Sequence, residues 1–148
     1  MTDELSTALH LARVPTDLSR ITLLVACGDR RARGALKREL ADHGYHVLTT
    51  RSAEETLRAI DSQQPHVVLL DTSLPDADAA LLADQLKADD ALGFLPIIVL
   101  ADPAQNGRAS GPACQADVVL PRTVASTDLL TWVASLLRIR GQFDRLLY

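Results

Sequence analysis

Residues 66–78 read HVVLLDTSLPDAD. Four aliphatic residues, Val67 to Leu70, run into a single carboxylate, Asp71, and a polar turn follows through Leu74-Pro75-Asp76. A short, unbroken apolar run bounded by turn residues is the pattern of a strand buried on both faces. Such a strand needs cover on each side, so this stretch asks for a layered arrangement with an acid at the strand's carboxyl end.

The same pattern recurs on either side of it. Ile21 to Ala26, His46 to Thr49, Pro96 to Leu100 and Asp117 to Leu120 are further strand candidates. Helical periods lie between them: Arg31 to His43, closed by Gly44; Ala53 to Asp61, where Ser52 and Glu55 are spaced as a capping box; and Ala77 to Ala88. Repeated strand-helix units in one short chain predict an α/β fold, a doubly wound parallel sheet with helices on both faces. Ligand sites in such sheets lie at the carboxyl ends of the central strands. That edge collects Cys27, Gly28, Asp29, Asp71, Thr72, Ala101, Asp102 and Arg122.

Composition bounds the rest. A chain of 148 residues, 47% hydrophobic, fits one domain with a proper core and a terminal extension. A net charge of −4 and no dense basic block argue against a nucleic-acid partner. The longest apolar runs are far too short to span a bilayer, and MTDELSTALH lacks the basic start and apolar stretch of a signal peptide. The expectation is a cytoplasmic protein with no membrane partner. Two cysteines offer neither a disulfide framework nor metal-ligand spacing. The four histidines are scattered and suit surface or strand-flanking roles.

The stretch VVLLDTSLPDADAALLADQLK resembles the third strand and following loop of the receiver domains of bacterial response regulators, where a strand ends in the phosphoacceptor Asp. LPIIVLAD is similar to their fourth strand, ADVVLPR to the fifth, and LADHGYHVLTT to the end of the first helix running into the second strand. The resemblance covers residues 20–137. It implies a flavodoxin-like five-stranded sheet of order 2-1-3-4-5, and a non-enzymatic module of two-component phosphorelay signalling. In that chemistry a phosphoryl group passes from a phosphohistidine to Asp71. Because both groups are anionic, the step needs a divalent cation, Mg²⁺ in this family, and a fixed positive side chain. The implied partners are a histidine kinase or an output domain.

Several positions depart from the family pattern, which points to a degenerate pseudo-receiver. The two acids that help hold Mg²⁺ fall at Cys27 and Gly28, neither of which offers a hard carboxylate oxygen. Asp29 follows, and either turns inward as a makeshift metal ligand beside Asp71 or caps the next helix. The hydroxyl residue that bonds the phosphoryl group falls at Ala101, and a methyl group donates no hydrogen bond. The aromatic switch of the fifth strand falls at Val119, which has almost no rotamer range. Arg122 stands at the lysine position, preceded by Pro121 and followed by Thr123; it keeps the charge without being an equivalent point charge. Arg122, Asp29 and Thr72 are the expected contacts of the acid pocket. Between the fourth and fifth strands DPAQNGRASGPACQ carries two Pro and two Gly in fourteen residues, which predicts a surface loop rather than a long helix.

The termini lie outside the resemblance. In the extension 1–19, Leu5, Ala8, Leu9 and Ala12 are spaced for a short amphipathic helix over residues 3–13. At the other end Leu129, Trp132, Leu136, Ile139, Phe143 and Leu146 form a heptad-like stripe. Its first part suits packing on the sheet. Residues 138–148 would project beyond it, as a homodimer contact or a link to an output domain. A third reading is an enzyme: Cys27 and Arg33 have the Cys-x5-Arg spacing of low-molecular-weight tyrosine phosphatases, with Asp102-Pro103 imitating their general-acid dipeptide.

Overall fold

The computed structural model describes residues 18–102 and 115–147, with the side chains of 142–147 excepted. The expected N-terminal helix, the loop residues 103–114 and the side chains of Phe143 and Leu146 lie outside that description.

Five strands form one parallel sheet: β1 Thr22–Ala26, β2 His46–Thr50, β3 Val67–Asp71, β4 Ile97–Ala101 and β5 Val118–Pro121. Their order is β2-β1-β3-β4-β5, the doubly wound arrangement that the strand-helix alternation predicts. All five residues of β3 are buried, as its unbroken apolar run requires. Four helices cover the sheet: α1 Arg30–Asp42, α2 Ala53–Gln63, α3 Ala79–Lys87 and α4 Ser126–Leu147.

The period-two alternation of the strands divides the core in two. Leu24, Ala26, Val68, Leu70, Ile97 and Val99 pack against α2 and α3. Leu23, Val25, Val67, Leu69, Ile98 and Leu100 face α1 and α4. On α1 only Leu40 is fully buried, with Ala32 and Leu36 packed beside it one turn apart, and its remaining faces carry charge.

Helix boundaries follow from caps. The Asp78 carboxylate accepts from Ala80 N at 2.8 Å and from Leu81 N at 3.4 Å, so α3 starts at Ala79, two residues later than periodicity alone suggests. At α2, Ser52 Oγ accepts from Glu55 N at 3.1 Å as a capping box requires. The returning Glu55 carboxylate instead takes the amide of Arg51, at 2.8 Å. Gly44, at φ 117°, ends the turn between α1 and β2 in a conformation open to glycine.

The last helix corrects one expectation. At 22 residues α4 is about 33 Å long. Leu129, Val133 and Leu136 are buried against the sheet, whereas Trp132 is 42% and Ile139 48% exposed. Leu136, expected on an interaction stripe, is therefore a core residue, 4% exposed. Leu129 and Leu136, seven residues apart, lie on one row that faces the sheet, and Trp132 and Ile139, also seven apart, lie on a neighbouring row about 60° round the helix that faces solvent. Further along, Arg140 Nη1 donates to the carbonyls of Pro65 and His66 at 3.2 and 2.9 Å, tying the helix to the lower end of β3.

Candidate functional site: an acid pocket closed on an arginine

The sheet register brings the chemistry-bearing residues to one edge. β1 and β3 pair Ala26 with Leu70, so Cys27 and Asp71 emerge side by side. β3 and β4 pair Asp71 with Leu100, and Arg122 N donates to Ala101 O at 2.9 Å, which sets Arg122 at the top of β5. Asp71 is 2% exposed. A buried carboxylate needs partners for its charge, and Asp71 has two. Its Oδ1 accepts from Ser73 N at 2.9 Å, and its Oδ2 from Arg122 Nε at 3.0 Å.

Arg122 reaches two further acids. Its Nη2 lies 3.6 Å from Asp29 Oδ2 and its Nη1 3.8 Å from Asp102 Oδ2. One guanidinium thus stands among three carboxylates, from the end of β3 and the loops after β1 and β4. Burial opposes its charge, but the charge of Asp71 and the hydrogen bond to it prevail, holding the Arg122 pKa above its ordinary value.

Asp29 takes the capping role expected of it, its Oδ1 accepting from Arg31 N at 3.1 Å at the start of α1, and turns its other oxygen towards Arg122. Thr72 faces the loop after β4, its hydroxyl accepting from Asp102 N at 3.2 Å. Ala101 ends β4 without a hydroxyl, and Val119 is half-buried against α3's side of the core. Among the described residues no group of three or more His, Cys, Asp or Glu side chains could hold a metal ion.

Sequence reasoning overlooked Ser73. Its hydroxyl accepts from Gly28 N at 3.0 Å and Asp29 N at 3.2 Å, joining the loop after β1 to the loop after β3. A serine in a polar turn carries no sign of a partner 45 residues away. Asp76, in the same loop, was similarly read only as part of a turn. Its carboxylate accepts from Ala53 N at 2.7 Å and Glu54 N at 3.2 Å, and so serves the first turn of α2.

The parts of a thiolate enzyme do not come together. Cys27 is fully buried, and its thiol is raised by burial and by the charge of Asp71, although the Ser73 hydroxyl works the other way. A nucleophilic thiol needs the opposite shift. Arg33 points back at the chain, its Nη1 donating to Cys27 O at 3.0 Å. The phosphatase-like reading of Cys27 and Arg33 is set aside on these grounds.

Comparison with known proteins agrees with the fold and the edge. The family pattern of the response regulator receiver domain matches residues 23–133. Response regulator MprA of Mycolicibacterium vanbaalenii is 36% identical over 121 residues, which are 80% of this chain and 51% of that one. MprA of Mycobacterium tuberculosis is 35% identical over 121 residues, again 80% and 51% of the two chains. The chain thus spans about half the length of these relatives. A crystal structure of a putative response regulator from Chloroflexus aurantiacus superimposes with a TM-score of 0.71 at 26% identity, covering 79% of this chain and 97% of that one. A CheY-like receiver domain from Methylobacillus flagellatus shares the fold, with a TM-score of 0.67 at 20% identity, over 78% and 98% of the two chains. With its sheet order, its strand-end aspartate and these relatives, the chain belongs to the response regulator receiver domain family of two-component signalling.

Proposed function

We propose that this receiver works without phosphorylation of Asp71, as a cytoplasmic signalling module whose output is a protein contact. The observation that carries this reading is the state of the Asp71 carboxylate. Both oxygens are engaged, by Ser73 N and Arg122 Nε, in a residue 2% exposed. For Asp71 Oδ2 to attack the phosphorus of a phosphoryl donor, Arg122 would have to leave that oxygen, and Ala101 has no hydroxyl to bond the transferred group. Val119 adds no swinging side chain to pass on a signal. Among the described residues no helix is long and apolar enough to cross a membrane.

The test is incubation with acetyl phosphate and Mg²⁺, followed by intact mass. The expected result is an unmodified chain. A phosphoryl adduct that disappears in Asp71→Asn overturns the reading, in favour of Asp71 as a phosphoacceptor with Arg122 as its counter-charge.

The contact itself we assign to the outer face of α4, where Trp132 and Ile139, seven residues apart, present apolar side chains to solvent. Partners of the class implied by the family are a second copy, a kinase or an output domain. Sedimentation of the full chain and of Trp132→Ala/Ile139→Asp checks the homodimer. These exposed positions are preferable to truncation after residue 137, which also removes the Arg140 anchor on β3.

A further inference from the structure

The divalent ion on which this family relies does not fit the residues present. Mg²⁺ demands hard oxygen ligands in near-octahedral array. The edge offers a buried thiol at Cys27 and no side chain at Gly28, and the space between its remaining acids holds the Arg122 guanidinium.

We propose that Arg122 is the pocket's resident cation: its guanidinium takes the place of the metal ion and holds the end of β3 and the loops after β1 and β4 together in a closed arrangement that requires no metal. The proposal rests on the reading that Asp71 is not phosphorylated, and it names what occupies the site instead.

The geometry is that of a bridging group. A guanidinium is planar and presents its N–H donors in several directions, so one side chain can meet several carboxylates. Here Nε takes Asp71 from β3, Nη2 faces Asp29 from the loop after β1, and Nη1 faces Asp102 from the loop after β4. The contact with Asp71 is a hydrogen bond at 3.0 Å, and those with Asp29 and Asp102, at 3.6 and 3.8 Å, are ion pairs. A lysine at this position would supply a single point charge.

The surroundings are shaped to the same end. A Cβ on Gly28 would run into the Ser73 carbonyl, so the loops after β1 and β3 lie too close for an acidic side chain between them. Ser73 N donates to one oxygen of Asp71 and Arg122 Nε to the other. The Arg122 guanidinium already occupies the space between the three acids that a divalent ion would need.

The experiment is NMR of the full chain, reading backbone amides in Mg²⁺ and in paramagnetic Mn²⁺. In the wild-type protein the amides of Gly28, Asp29, Thr72 and Ser73 should neither shift in millimolar Mg²⁺ nor broaden selectively in Mn²⁺. Arg122→Ala should show selective broadening at these amides at Mn²⁺ concentrations at least about tenfold lower, and Mg²⁺ should raise its melting temperature while leaving the wild type's unchanged. Arg122→Gln, which keeps most of the side chain's bulk, is the second variant should the alanine form not fold. Selective broadening of the wild type at submillimolar Mn²⁺ overturns the proposal. So does a folded variant that binds Mn²⁺ no more tightly than the wild type. The acetyl phosphate test remains separate: metal binding without modification defeats this proposal alone, whereas modification of Asp71 defeats the reading beneath it and the proposal with it.

Discussion

Gly28 lies directly against Ser73. A Cβ at position 28 would stand closer to the Ser73 carbonyl oxygen than van der Waals contact allows, and the amides of Gly28 and Asp29 both donate to Ser73 Oγ. The absent acid at this position is therefore a matter of packing as well as of chemistry. Two loops that an acidic side chain would hold apart are joined through a hydroxyl.

Gly28→Asp should consequently lower stability without creating a metal site. The backbone oxygen that the new Cβ meets cannot move aside like the end of a side chain, so the cost should reach or exceed the usual overpacking range of about 1–3 kcal/mol. Urea unfolding of Gly28→Asp and Gly28→Ala measures it; Gly28→Ala as stable as the wild type would show that the loops separate easily.

Ser73→Ala removes the acceptor shared by two backbone amides. Leaving the part-buried Gly28 donor unpaired costs roughly 1–3 kcal/mol, less whatever water recovers, while the exposed Asp29 amide can turn to water. The local signature is more specific than the global one: hydrogen exchange at Gly28 and Asp29 should accelerate, while that of β3 amides follows only the overall loss of stability.

Arg122→Ala leaves the buried Asp71 carboxylate with the Ser73 amide alone. Breaking a buried pair from one side is usually worth about 3–5 kcal/mol. The Arg122 side chain is 25% exposed, so solvent reduces this and a loss of roughly 2–3 kcal/mol is expected. A double-mutant cycle with Asp71→Asn in urea should return a positive coupling between the two sites; additive losses would deny the pair.

Acid should weaken the domain partly through the start of α2. Asp76 is held below its ordinary pKa by the Ala53 amide first, with Glu54 N adding to it, and Glu55 is lowered by the Arg51 amide. A lowered folded-state pKa means that the folded form binds protons less readily than the unfolded one. Their stabilisation is complete above the ordinary carboxylate range, about pH 4, and is lost as pH falls through the lowered values beneath it. Melting curves of Asp76→Asn against the wild type should differ at neutral pH and converge below that window.

Cys27 should resist alkylation. Burial raises its thiol and closes access, so native protein should label at the Cys27 peptide far more slowly than protein in denaturing urea. Fast native labelling at that peptide would show that the β1 edge opens.

What the sequence determined by itself was the periodic part of the fold. Runs such as Val67 to Leu70 and Ile97 to Leu100 can be buried only between two layers, and the helical periods between them predict a doubly wound parallel sheet, so the layered fold and the strand-end position of Asp71 were readable from period alone, whereas the order 2-1-3-4-5 was implied only by the resemblance to receiver domains. Strand and helix periods are local properties, written over a few consecutive residues. The tertiary structure alone decided who meets whom at the edge. Ser73 reaching Gly28, Asp76 serving α2 and Arg122 standing among Asp29, Asp71 and Asp102 join residues from 20 to 93 positions apart, through loops whose sequences carry no period. It also assigned Leu136 to the core and Ile139 to solvent, because the angle at which α4 lies on the sheet depends on the whole core beneath it. Charge and hydrogen-bond partners become specific only once the packed sheet has set the distances between them.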